Sequence, residues 1–113
     1  MLPKSRRLRL TRDFERVFAV RRAANGAFFR IKEHPNNLKT TRFAVVVSGK
    51  VHKRAVIRNR IRRRAWSVLR DLYYRVPSGH DIVIVALRDA ATLDFETLKN
   101  DLAYLLTKRL FHS

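Results

Sequence analysis

Five consecutive apolar residues, Phe43-Ala44-Val45-Val46-Val47, constrain the fold more than anything else in this chain. A strand turns successive side chains to opposite faces, so this one is apolar on both. Both faces then need cover, which predicts a central strand over 42–48 in a sheet flanked by two layers. A second apolar run, Ile82 to Leu87, predicts another strand over 81–87. Between the two the period changes. Ile57, Ile61, Ala65, Val68 and Leu72 follow the spacing of one buried helical stripe, and Pro77-Ser78-Gly79 ends it, so a helix is expected over 54–75.

The flanking segments complete the layers. Thr11 fits a helix N-cap, with Asp13 and Glu15 in the first turn where the helix dipole favours anions. Phe14, Val17 and Phe18 form an apolar stripe, Arg21 and Arg22 suit the C-terminal end, and Asn25-Gly26 stops the helix. A strand over 28–32 follows. The loop from His34-Pro35-Asn36-Asn37 predicts that it pairs with 42–48 as an antiparallel hairpin. Asp94 caps a last helix whose stripe is Leu98, Leu102, Leu105 and Leu106, closed by Lys108, Arg109 and His112. The order α-β-β-α-β-α predicts an α+β fold, a small mixed β-sheet packed with helices. The 113 residues suit a single domain, 1–113, with residues 1–10 as an extended basic arm.

Charge narrows the partner. Lys and Arg number 26 against 9 Asp and Glu, a net +17. The natural counterpart is a polyanion, and nucleic acid is the commonest. No apolar run approaches the ~18 residues of a membrane helix, and no secretory signal follows the basic N-terminus. The absence of cysteine excludes disulfide scaffolds, zinc ribbons and thiol nucleophiles, and is compatible with a reducing cytoplasm.

The charge is concentrated. Lys53, Arg54, Arg58, Arg60, Arg62, Arg63 and Arg64 stand within twelve residues that contain no acid. Stacking Arg54, Arg58 and Arg62 at i, i+4 costs a few tenths of a kcal/mol per pair, and a merely solvated face would mix both signs. Arginine forks pair phosphate oxygens and stack on bases. Asn59 can bond a base edge, a 2′-hydroxyl or a backbone group. Trp66 extends the arginine row by four residues; it either stacks on a base or packs beside Leu69 and Tyr73.

No protein active site is expected. Hydrolysis of a phosphodiester by side chains needs paired carboxylates for metals or a histidine acid–base pair. The nine acids are scattered, the four histidines lack metal-ligand spacing, and Ser48-Gly49-Lys50 lacks the upstream glycine of a P-loop. On composition alone, a structural RNA-binding protein such as a small ribosomal protein fits equally well. A duplex-DNA reader fits less well, because these arginines wrap the helix instead of presenting one base-reading face.

The segment Lys53-Arg-Ala-Val-Ile-Arg58-Asn59-Arg60-Ile-Arg62-Arg63 resembles the Arg-Asn-Arg signature of the bacterial ribonuclease P protein subunit. Asp13-Phe14-x-x-Val17-Phe18 is similar to that family's first helix. Trp66-Ser67 departs from the Arg-Glu or Arg-Gln pair usual there, and His52-Lys53 stands where a glycine is common. The resemblance implies an accessory protein of an RNA-catalysed endoribonuclease that removes the 5′ leader of precursor tRNA in the cytoplasm. It implies Mg²⁺ held mainly by the RNA, no organic cofactor, and one protein copy per complex. Lys53, Arg54, Arg58, Asn59, Arg60, Arg62, Arg63 and Trp66 would then contact the catalytic RNA. Phe14 and Phe18, which periodicity alone reads as core, would line a leader-binding cleft with Phe29 or Arg30. A one-residue slip of that strand exchanges the last two between faces. The resemblance also implies a left-handed βαβ crossover, where the general rule is right-handed.

Overall fold

The second apolar run, not the first, takes the middle of the sheet in the computed structural model, which describes residues 2–19 and 22–111. Strand β4 (His80–Ala86) lies between β2 (Phe29–Pro35), to which it is antiparallel, and β3 (Arg42–Val46), to which it is parallel. A short β1 (Ala23–Asn25) pairs antiparallel with the outer side of β2. The order is β1-β2-β4-β3. Residues 81–84 of β4 are all buried, so the central place removes the most apolar surface from water.

The expected hairpin between 28–32 and 42–48 is therefore absent, because β4 separates those strands. The connecting loop spans two strand spacings, about 9.6 Å, and is pinned across the start of β4. Asn36 N–H donates to Gly79 O (2.9 Å), and Thr41 Oγ1 donates to Pro77 O (2.6 Å) while accepting from His80 N–H (3.2 Å). Asn36 Oδ1 accepts from Leu38 N–H (2.7 Å), and Asn37 takes the left-handed conformation at φ 61° that asparagine tolerates. Strand β2 also runs on through His34 and Pro35, which the sequence reads as loop.

Strand β3, expected at the centre, pairs with β4 on one side and is covered by the N-terminal arm on the other. Leu8 N–H donates to Phe43 O (2.8 Å). An uncovered strand edge is a template for unwanted pairing, and the arm closes this one. The arm is extended only in part, since Lys4–Arg6 form a 3₁₀ turn. The Arg6 guanidinium lies 4.5 Å from the centre of the Tyr73 ring.

Two cores lie on opposite faces of the sheet. On one, Phe29, Ile31, Phe43, Ile82 and Ile84 meet α2 (Ala55–Leu72) and α3 (Phe95–Tyr104). The Asp94 cap forms as expected, with Thr97 N–H donating to Oδ1 (3.0 Å), and the helix ends in one wide turn over Leu105–Arg109. On the other, α1 (Thr11–Ala19) lays Val17 and Phe14 over Ala44 and Val83. Leu2 joins the first core and Leu8 the second, so the arm straddles the edge of β3. Arg21 and His112, expected at helix C-termini, lie outside the described residues.

Buried acids fasten the layers. Arg42 donates through Nε and Nη2 to both oxygens of Asp81 (2.8 and 2.7 Å) and lies 3.4 Å from Asp13 of α1. Asn36 Nδ2 also donates to Asp81 (2.9 Å). The hydrogen bonds to Asp81 push the Arg42 guanidinium above its ordinary value, so its charge is permanent. On the opposite face, buried Glu33 meets the His80 ring and Arg22 Nε (3.5 Å), and Phe111 packs edge-on against His80 at 4.8 Å.

Candidate nucleic-acid interface

Helix α2 presents the basic run in two classes. Its buried stripe is Ile61, Ala65, Trp66, Val68, Leu69 and Leu72. Three arginines are partly engaged with the protein's own backbone. Arg58 Nη1 donates to His52 O (2.9 Å) and Lys53 O (2.8 Å), tying the approach loop to the helix. Arg62 donates to Asn59 Oδ1 (2.5 Å) and to Val47 O (3.3 Å), and Arg64 to Leu93 O (3.0 Å). By contrast, the side chains of Lys53, Arg54, Arg60 and Arg63 have no hydrogen bond or ion pair among the described residues. No acid stands in the first turn of α2 and the side chain of its N-cap residue, Arg54, makes no capping bond, so the positive pole of the helix adds to Lys53 and Arg54.

Trp66 is a correction. It is only 9% exposed and belongs to the main core, so the reading that has it contacting RNA does not hold. Each i+4 step on a helix of 3.6 residues per turn advances the side chain by about 40°. Over three steps from Arg54 the row therefore turns through about 120°, from solvent into the core.

The other face carries an open ledge beside α1. Phe14 is half-buried against the small core, and Phe18 is 44% exposed. Lys32 Nζ lies 5.8 Å from the centre of the Phe18 ring. Arg30 is exposed on the same side of β2, held by a hydrogen bond from Nε to Asn25 Oδ1 (3.1 Å). Phe29 is the second correction: it is fully buried on the opposite face, beneath α2 and α3, and cannot join the ledge. The register Phe29↔Ala86 and Arg30↔Val85 settles the face of each. The sequence reading missed Lys32, although the period of two from Arg30 points to it. Among the described residues no three His, Asp or Glu side chains are grouped as metal ligands.

Comparison with known proteins converges on one family. The family model described as Ribonuclease P matches residues 2–110. The ribonuclease P protein component of Pseudanabaena sp. is 35% identical over 109 residues, covering 96% of this chain and 94% of the relative. That of Syntrophomonas wolfei is 33% identical, covering 96% of this chain and 90% of the relative. The solved ribonuclease P protein of Thermotoga maritima superposes with a TM-score of 0.82 at 28% identity, over 90% of this chain and 96% of that one.

Proposed function

The chain belongs to the ribonuclease P protein family, and on that premise we propose that it grips the catalytic RNA through α2 and the 5′ leader of precursor tRNA through the ledge beside α1. The observation that carries this reading is the set of four cations without partners among the described residues: Lys53 and Arg54 at the N-terminus of α2, and Arg60 and Arg63 in its second and third turns. Each cation that meets a phosphate releases condensed counterions, and the helix pole favours the same charge. On the ledge, Phe18 offers a base an aromatic edge while Arg30 and Lys32 meet the flanking phosphates, the pairing that single strands need. Mature tRNA lacks the leader, so contacts there favour the precursor over the product.

In this reading hydrolysis belongs to the RNA. Mg²⁺ in this reading is held mainly by RNA phosphates at the bond that is cut. The protein contributes positioning and charge neutralisation, one copy per ribonucleoprotein, in the cytoplasm. The test is reconstitution with the cognate RNA and precursor tRNA at low Mg²⁺. Leader removal should be stimulated at least tenfold over RNA alone; no stimulation would refute the proposal.

A further inference from the structure

A cavity of about 470 Å³ opens where the N-terminal arm, the start of α1 and the β2–β3 loop meet. It lies at the Arg42 end of β3, whereas α2 is tied to the other end at Val47, about 16 Å away along the strand. Neither the basic face of α2 nor the ledge includes it.

Its lining has two components. Lys4 and Arg9 from the arm and Lys39 from the loop supply positive charge. The acid present, Asp13, is buried and held by Arg42 (3.4 Å) and Arg16 (3.8 Å), so it does little to offset the three cations. Two leucines, Leu10 and Leu38, also line it. They are 51% and 48% exposed, two of the six large apolar side chains left open among the described residues. A site for phosphate alone has no use for apolar walls. Cations beside exposed apolar side chains match a nucleotide, whose phosphate takes the charge and whose base packs a face on the leucines, as in apolar sites oriented by a few polar groups. The volume is within the range of small-molecule sites.

We propose that this cavity binds one nucleotide unit of a single-stranded RNA segment distinct from the strands on α2 and on the ledge. The chemistry is that of a base with its 5′-phosphate, and the same groups would take a free nucleotide. The proposal does not rest on the assignments under α1 and α2.

The test is a titration of the full chain, followed by amide chemical shifts, with three probes: pentauridylate, uridine 5′-monophosphate and ribose 5-phosphate. Saturable shifts at Leu10, Leu38 and Lys39 with pentauridylate are expected. Arg9→Glu with Lys39→Glu should weaken that response at least tenfold and leave shifts at Phe18, Arg30 and α2 in place. Leu10→Ser with Leu38→Ser should weaken pentauridylate and spare ribose 5-phosphate. All four positions are exposed, so the fold should survive, and the spectra report directly whether it does. The monophosphate binding as tightly as the strand would overturn the assignment to a strand. Silence at Leu10, Leu38 and Lys39 at saturation would overturn the site itself. Failure of the ledge reading would show separately, at Phe14, Phe18 and Arg30.

Discussion

The arginines of α2 are chemically identical and structurally different. Arg60 and Arg63 have no side-chain partner among the described residues, while Arg58 and Arg62 also hold backbone carbonyls of His52, Lys53 and Val47. Arg60→Ala and Arg63→Ala should each flatten the salt dependence of RNA binding by roughly 0.7 to 0.9 of a logarithmic unit per unit, one phosphate contact, with no change in thermal midpoint. Arg58→Ala and Arg62→Ala should weaken binding too, but also lower stability by about 1 kcal/mol, because a protein hydrogen bond is lost with the charge. Salt titrations beside denaturant curves separate the two classes; equal stability for all four variants would contradict the division. The aromatics divide likewise. Trp66→Ala should cost about 3–5 kcal/mol as a core deletion. Phe18→Ala, on an exposed edge, should stay within about 0.5 kcal/mol of wild type and instead weaken leader-bearing substrate relative to mature tRNA.

At the scale of the element, α3 holds two carboxylates whose titrations oppose one another. Hydrogen bonds from Thr97 hold Asp94 below its ordinary 3.8, so its ionised form stabilises the fold above that value and the contribution fades as pH falls through the lowered one. Burial pushes Asp101 above 3.8, with Oδ2 lacking a hydrogen-bond partner among the described residues. Its ionisation therefore opposes folding, and stability is lost as pH rises through the raised value. Asp94→Ala should lower the thermal midpoint at pH 7, and Asp101→Asn should raise it by about 1–3 °C. Both differences should shrink toward pH 3, measured by thermal melts across pH; a midpoint for Asp101→Asn below wild type at pH 7 would contradict the assigned sign. The Asp94 cap was legible from the sequence, because capping is local. The burial of Asp101 was not, because it depends on how α3 packs in the fold; a Cβ on Gly26 would stand 3.3 Å from Asp101 Oδ1. The same divide explains the strands. Apolar runs marked β3 and β4, but strand order depends on which run gains most from the centre, and a loop as long as 36–41 permits either a hairpin or an insertion.

At the scale of the molecule, the sheet separates two cores, and the candidate surfaces follow that separation: α2 on one layer, the ledge beside α1 on the other. The basic helix was legible because charge density survives any packing, and Phe14 and Phe18 because their spacing marks one helical face. The choice between Phe29 and Arg30 was not, since it turns on a register that β4 imposes from fifty residues away. Least legible was the arm, whose pattern shows Leu2 and Leu8 without showing that they enter different cores. That arrangement makes the arm a clasp across the β3 edge, and its energetics can be read from two substitutions. Leu2→Ala and Leu8→Ala should each cost about 2 kcal/mol, the low end for buried leucine because a terminal segment relaxes around the loss. The sheet stands between the two sites, so independent docking predicts that the double variant loses the sum to within about 0.5 kcal/mol. If the arm docks as one cooperative unit, the first substitution already releases it, and the second costs much less. Denaturant midpoints of the four proteins decide between these outcomes. Additivity is expected, because Leu8 is held by its own hydrogen bond to Phe43 O whether or not Leu2 is seated.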